Sequence, residues 1–185
     1  EISAGTIGSL ETLHITSRDP APPPVDYVRR SGGLFRDMMI HDLDMARWLL
    51  GAEPVEVFAR GSALVDPEIR AAGDIDTAMV MLRTADGRLC QIANSRRCSF
   101  GYDQRIEAFG AAGMVSANNH TATSVTVAGK QGYTTEPALP FFLERYADAY
   151  RLELEDFIGA LNGNKVELPT GEDGRRALLL ADAAQ

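Results

Sequence analysis

An aspartate and a histidine four residues apart are the most chemically suggestive pair in this sequence. Asp37 and His41 lie in the run Gly32-Gly-Leu-Phe-Arg-Asp-Met-Met-Ile-His-Asp-Leu-Asp44, whose apolar residues have helical spacing. Side chains four apart share one helix face. A carboxylate beside an imidazole favours the protonated ring and orients it, so the pair suits proton transfer to or from an alcohol or carbonyl. The alternative is a solvated surface pair, and spacing alone favours it because such pairs are common by chance.

Metal binding is the other chemistry that this run suggests. Asp42 and Asp44 follow His41 directly, but helical spacing places both carboxylates on different faces from the imidazole. His14 and His120 complete the set of three histidines, which show no zinc-type spacing among themselves or with the cysteines. The sequence therefore predicts no metal site.

Composition narrows the possible partners. The 185 residues carry a formal net charge of -8, which argues against a nucleic-acid-binding module, since such modules present a basic face. No run approaches the roughly 20 apolar residues of a membrane span. Cys90 and Cys98 are eight apart without a CxxC pattern, so we expect reduced thiols and a cytoplasmic protein.

The elements that must position Asp37 and His41 alternate between strand and helix. A strand over Glu11–Ser17 is followed by a proline-rich loop, Pro20–Gly33, and a helix over Leu34–Leu50. A run of strands with short connections follows, and helices close the chain. The predicted strands are Val55–Leu64, Ile75–Arg83, Arg88–Cys98, Gln104–Phe109, Met114–Ala117 and Ser124–Val127, and the predicted helices are Phe141–Leu161 and one from Thr170 or Glu172 to Ala184.

This order predicts an α+β fold with a largely antiparallel open sheet and helices packed on one face. No GxGxxG motif opens a βαβ unit, so we expect no Rossmann domain within the chain. Asn94-Ser-Arg-Arg97 forms a polar end to an apolar strand, and we interpret it as a solvated strand end rather than as a ligand contact or a subunit interface.

Three stretches closely resemble the C-terminal domain of the inositol 2-dehydrogenases, in the glucose-fructose oxidoreductase/inositol dehydrogenase family. They are Ser17-Arg-Asp-Pro20, Ser31 to Arg47 and Gly101-Tyr-Asp-Gln-Arg105, and Leu152 to Ile158 extends the resemblance over nearly the whole chain. The resemblance implies that residues 1–185 form one substrate-binding and oligomerisation domain. In that family the sheet binds substrate on its helical side, and its other face builds a homodimer or homotetramer.

The same resemblance implies a reaction. The intact protein would oxidise a secondary ring hydroxyl of a cyclic polyol with NAD, converting myo-inositol to its 2-keto form. His41 would be the acid/base on the hydroxyl and Asp37 its partner, while Asp19 and Tyr102 match substrate-contacting positions. Asn94 is also chemically suited to hydrogen-bond a polyol.

Part of the family's active site has no counterpart in this sequence. Its catalytic lysine lies in a Glu-Lys-Pro motif of the nucleotide domain, whereas Lys130 and Lys165 lie in no such motif. We therefore expect a fragment with half an active site, inactive alone, whose NAD or NADP is bound mainly by an N-terminal domain. The same residues are compatible with a dehydrogenase of this family that acts on a different sugar, and with a non-catalytic oligomerisation domain.

Overall fold

A six-stranded sheet covered by helices on one face forms the body of the protein, in a computed structural model that describes all residues, Glu1–Gln185. Its strands are β1 (Leu10–Arg18), β2 (Pro54–Ser62), β3 (Thr77–Thr84), β4 (Leu89–Ser95), β5 (Asp103–Gly110) and β6 (Gly113–Ala117). Their spatial order is β2-β3-β4-β1-β5-β6. Only β1 and β4 pair in parallel, while the other neighbouring strands are antiparallel. The predicted fold class is confirmed.

The helices and a separate hairpin complete the chain. The helices are α1 (Val25–Ser31), α2 (Ile40–Leu50), α3 (Pro67–Ala71), α4 (Phe142–Arg145), α5 (Ala147–Leu161) and α6 (Gly171–Ala184), and β7 (Thr126–Gly129) pairs with β8 (Gly132–Thr135). The core lies between the sheet and α2 and α6, where Leu13, Leu43 and Ile92 are fully buried. None of the helices has the length and apolar content needed to cross a bilayer.

Local sequence signals set several of these boundaries. Gly51 ends α2 in the left-handed conformation, which glycine adopts without steric cost. The Thr170 side chain accepts from the Asp173 amide, and the Asp173 carboxylate accepts from the Thr170 amide, so a capping box begins α6. Asp86-Gly87 makes the tight turn between β3 and β4, as the sequence predicted.

Some predicted boundaries were wrong. The proline-rich loop Pro20–Gly33 contains α1, which begins directly after the last proline. The helix expected over Leu34–Leu50 starts as a π-helical turn, Phe35–Met39, and becomes regular only at Ile40. The helix expected over Phe141–Leu161 is interrupted at Tyr146. Short elements such as α3 and β8 were missed because four or five residues carry too little periodicity.

Candidate active site

The parallel pairing of β1 with β4 brings two chain segments together at one edge of the sheet. The carboxyl ends of parallel strands open at the same edge, and Arg18 of β1 is in register with Ser95 of β4. The next residues, Asp19 and Arg96, therefore lie side by side. The Asp19 amide donates to the Ser95 carbonyl at 2.9 Å, which extends the ladder by one bond and fixes the start of the following loop.

A cavity of about 1210 Å³ opens at this edge. It is bounded by the proline-rich segment, the π-helical turn, the start of α2, the ends of β1 and β4, and the segment around α4 and α5. Its walls include Asp19, Asp37, His41 and Tyr102, the four residues that the sequence singled out. Residues up to 83 positions apart, as for Asp19 and Tyr102, thus meet at one site, and the His41 side chain is exposed at it.

Asp37 is held by residues other than His41. Its Oδ2 accepts from Nη2 of Arg96 at 2.8 Å, and its Oδ1 accepts from the hydroxyl of Tyr27 at 2.5 Å. Asp37 lies in the π-helical turn and His41 in α2, so they do not lie on one regular α-helix. Only the expected regular α-helix is therefore wrong: both side chains line the same cavity, and the pairing of Asp37 with His41 stays a prediction.

Asp19 has an unusual protonation equilibrium. Burial raises the pKa of its carboxyl to about 6, with Asp37 and Asp42 acting in the same direction and Arg96 and His41 opposing them. Loss of hydration penalises the ionised form, and the nearby guanidinium only partly offsets this penalty. Asp19 thus changes charge close to neutral pH, where an ordinary aspartate is fully ionised.

The sign of this shift predicts how Asp19→Asn alters stability. Because the folded protein holds the Asp19 proton more tightly than the unfolded chain, the cost of the buried carboxylate is absent below about pH 4. It grows as the pH rises and is complete above about pH 6. We expect Asp19→Asn to raise the free energy of unfolding by about 2–3 kcal/mol at about pH 8 and to change it little at about pH 4.

Urea unfolding at the two pH values measures this effect. Asp26→Asn, a change at an exposed carboxylate, is the control and should give the same small change at both. An equal effect of Asp19→Asn at both pH values would contradict the burial of a charged Asp19.

A buried polar network supports the cavity floor. The Asp42 carboxylate accepts from Ser17 Oγ at 2.5 Å and from Asn94 Nδ2 at 2.7 Å, and burial raises the pKa of Asp42. Ser17 Oγ also lies 3.0 Å from Oε1 of Gln104, a residue of the cavity wall. Asn94 is 2 % exposed and is not among the residues that line the cavity. The Asn94 amide, which the sequence suggested as suited to hydrogen-bond a polyol, instead donates to Asp42.

Aromatic rings form the opposite wall. The ring centroid of Tyr102 lies 5.7 Å from that of Phe141 and 6.0 Å from that of Tyr146, both in edge-to-face geometry. Burial raises the pKa of Tyr102, so its hydroxyl stays protonated and able to donate. The Tyr102 amide donates to the Leu139 carbonyl at 2.9 Å, which ties this wall to the segment before α4.

Sequence reasoning missed several wall residues. Arg96 was interpreted as part of a solvated strand end, yet it is 2 % exposed, whereas Arg97 is exposed as expected. Tyr27 and Tyr146 were overlooked because nothing in their local sequence sets them apart. The one signal for Arg96 was its position directly after a strand, which becomes informative only when the parallel partner of that strand is known.

Comparison with known proteins finds a matching family model and similar proteins. Residues 1–116 match the family model described as GFO/IDH/MocA C-terminal domain. A myo-inositol 2-dehydrogenase of Thermotoga maritima is 54% identical over 184 residues, covering 100% of this chain and 55% of the relative. The crystal structure of a putative myo-inositol dehydrogenase from Sinorhizobium meliloti superposes with a TM-score of 0.96 at 52% identity, over 99% of this chain and 56% of that one.

A more distant structure was solved with ligands. The scyllo-inositol dehydrogenase of Lactobacillus casei, with bound cofactor NAD(H) and scyllo-inositol, superposes with a TM-score of 0.86 at 31% identity, over 98% of this chain and 55% of that one. In all three comparisons the chain spans about half the length of the protein it matches.

Proposed function

Because this chain belongs to the GFO/IDH/MocA family and contains its C-terminal domain, we propose that it is the substrate-binding part of an NAD-dependent dehydrogenase. The substrate is a cyclic polyol, myo-inositol, oxidised at one secondary ring hydroxyl to the 2-keto form. The observation that carries the proposal is the meeting of Asp19, Asp37, His41 and Tyr102 at one cavity. The names of the relatives and the ligands in the Lactobacillus casei structure support the choice of substrate and cofactor.

The cavity fits a polyol together with a second molecule. Its volume of about 1210 Å³ exceeds the roughly 300–1,000 Å³ typical of pockets for drug-sized ligands, so a six-carbon ring leaves room beside it. Carboxylates accept hydrogen bonds from hydroxyls, and the Tyr102 hydroxyl donates to them. The wall therefore presents both kinds of partner that a polyhydroxylated ring requires.

In the proposed mechanism the chain's own residues manage the proton. His41 Nε2 or Nδ1 accepts the hydroxyl proton as the C–O bond becomes a carbonyl, and the hydrogen on the same carbon leaves as hydride. Bound NAD supplies the acceptor for that hydride. The imidazolium that forms at His41 shares the cavity with the carboxyl groups of Asp37 and Asp19, which would stabilise its positive charge.

Two residues orient the substrate, and a third is held in place beside it. Tyr102 donates from its protonated hydroxyl to a ring oxygen atom, and Asp19 accepts from a ring hydroxyl. Asp37 is fixed by hydrogen bonds from Tyr27 and Arg96 and therefore presents its carboxyl group to the site in one orientation. We propose the catalytic role for His41 and Asp37 and the binding role for Asp19 and Tyr102.

A substrate panel tests this function. The intact protein, incubated with NAD or NADP and with myo-inositol, scyllo-inositol or a pyranose such as glucose, should reduce NAD fastest with myo-inositol. Absorbance of the reduced nicotinamide at 340 nm measures the rate. A preference for a pyranose would support a sugar dehydrogenase of the same family instead, and no reduction with any polyol would refute the proposal.

The uncovered face of the sheet supports a homo-oligomer. Cross-strand neighbours place large apolar side chains on the face opposite the helices, where each is 39–57 % exposed. They are Phe58, Met79, Met81, Leu89, Phe109 and Met114. Several large, exposed apolar side chains on one sheet face are typical of a protein–protein contact. We propose that two copies pair through this face, in a homodimer or homotetramer.

Met81→Glu tests the pairing. Met81 lies on β3 opposite Phe58 and Gln91 and is half exposed on this face, so a carboxylate introduced there should weaken self-association by at least about 100-fold. Light scattering after size exclusion measures the assembly. Leu64→Glu, at a residue that is 65 % exposed outside the strands, is the matched control and should assemble as the wild type does. An unchanged mass for Met81→Glu would refute this interface.

Both cysteines support a reducing compartment. Cys90 and Cys98 are free and buried, and free thiols without disulfides are typical of proteins in a reducing compartment. We therefore propose a cytoplasmic location.

A further inference from the structure

Arg96 is a buried cation that holds Asp37 but neither transfers a proton nor binds the substrate in the proposed mechanism. Its side chain is 2 % exposed, although arginine is almost never fully buried unless it is paired. The residue directly follows β4, and its amide donates to the Asp76 carbonyl at 2.8 Å. Its backbone is thus fixed at the edge of the sheet where the cavity opens.

Two carboxylates of the cavity flank this guanidinium. Nη2 of Arg96 donates to Oδ2 of Asp37 at 2.8 Å. Asp19 lies beside Arg96 because its amide donates to the carbonyl of Ser95 at 2.9 Å, and the guanidinium lowers the pKa of the Asp19 carboxyl against the effect of burial. The remaining oxygen of Asp37 accepts from Tyr27. Both oxygens of Asp37 are therefore occupied, and the group is fixed in one orientation.

Stability alone does not account for Arg96. Its Nε is buried without a hydrogen-bond partner, and an unsatisfied buried donor costs about 1–3 kcal/mol. Replacing a buried ion pair with apolar side chains is often neutral or stabilising. A buried cation retained with an unpaired donor therefore indicates a role at the site that it borders.

Resting on the proposed function, we propose that Arg96 is a positioning residue of the dehydrogenase, which acts through Asp37 and Asp19. Its guanidinium locks the Asp37 carboxylate against the cavity wall and offsets the negative charge that Asp19 and Asp37 concentrate around the substrate. Lysine reproduces the charge but not the planar geometry, so the two contributions can be separated.

Three variants of the intact protein test the proposal. Arg96→Gln removes the charge and the geometry, Arg96→Lys keeps the charge, and Arg97→Gln removes the same charge at the exposed neighbouring residue. We expect kcat to fall about 10- to 100-fold in Arg96→Gln and at least about 5-fold in Arg96→Lys. Arg97→Gln should behave as the wild type does.

The pH profile of kcat/KM separates positioning from a structural role. The titratable and charged groups that face Asp19 are Arg96, Asp37, Asp42, His41 and Tyr102, and Arg96 is the one that opposes the effect of burial most strongly. Loss of this positive charge in Arg96→Gln should shift the acidic limb of the kcat/KM profile to higher pH. Arg96→Lys retains the charge, so its acidic limb should stay at the wild-type pH. A merely structural role would lower the melting temperature without moving the limb.

Carboxyl-carbon NMR of Asp19 provides a measurement that needs no activity. Its titration midpoint should be higher in Arg96→Gln than in Arg97→Gln, and equal midpoints would overturn the proposal. If the wild type oxidises no polyol, the proposed function fails and this titration still decides the electrostatic role of Arg96. If Arg96→Gln does not fold, Arg96→Lys decides, because wild-type kcat in that variant would refute the positioning role.

Discussion

Replacing His41 by asparagine is expected to lower kcat for inositol oxidation by about 10²- to 10⁴-fold, the usual contribution of a positioned general base. His41 is exposed at the cavity and is not part of the buried core, so the fold should tolerate the change. Asparagine retains a polar side chain but accepts no proton near neutral pH. KM should change much less than kcat, because the hydroxyl-binding groups remain.

His120→Gln is the matched control for this prediction. His120 lies outside the cavity and is exposed, and only its backbone carbonyl is used, as the acceptor for the Leu139 amide. Steady-state kinetics and thermal melts of both variants give the comparison. Turnover of His41→Asn within about threefold of the wild type would remove His41 from the mechanism and leave Asp19 or Asp37 as the base.

Gly101→Ala is expected to destabilise the protein by about 3 kcal/mol and to impair the site together with the fold. Gly101 has a φ of +110°, and a Cβ there would lie 2.4 Å from the backbone oxygen of Ala138. Backbone atoms cannot rotate away, so the two segments must separate. Tyr102 is the next residue and is hydrogen-bonded to Leu139 across this contact, and we expect kcat/KM to fall at least about 10-fold.

Gly132→Ala isolates the contribution of the backbone angle. Gly132 also has a φ of +110°, but nothing lies within 4 Å of a Cβ placed there. The control should therefore cost only the conformational strain, roughly 1–2 kcal/mol, with kcat/KM unchanged. Urea unfolding of both variants measures the difference between them. Equal losses of stability would mean that the close approach to Ala138 does not constrain the site.

The architecture was predictable because periodicity and turn residues are local signals. Alternation identified β1 to β6 within a few residues, and Asp86-Gly87 identified a hairpin. The alternation of apolar and polar residues does not show which strands are neighbours in the sheet. The insertion of β1 between β4 and β5 depends on contacts between distant residues, which leave no trace in a short window.

The candidate site was predictable only in part, for the same reason. Asp37 and His41 were found through helical spacing, although Asp37 lies in a π-helical turn that the spacing did not predict. Such turns depend on tertiary contacts and often occur at functional sites. The burial of Arg96 and Asp42 was not predicted, because the residues that surround each of them come from several elements of the fold. The sequence does not show whether an aspartate is buried. The anchoring role of Asp42 is therefore visible only in the structure, through its hydrogen bonds to Ser17 and Asn94.

The central position of β1 has a consequence for how the polypeptide reaches its native state. Ile15 pairs with Ile92 and Ile106, which are 77 and 91 positions later, whereas Val80 pairs with Ile92 only 12 positions away. Local pairings form faster because less loop-closure entropy is lost. The β2-β3-β4 and β5-β6 units should thus form before β1 inserts. Until insertion is complete, β4 and β5 offer unpaired edges to other molecules, so aggregation competes with folding at this step.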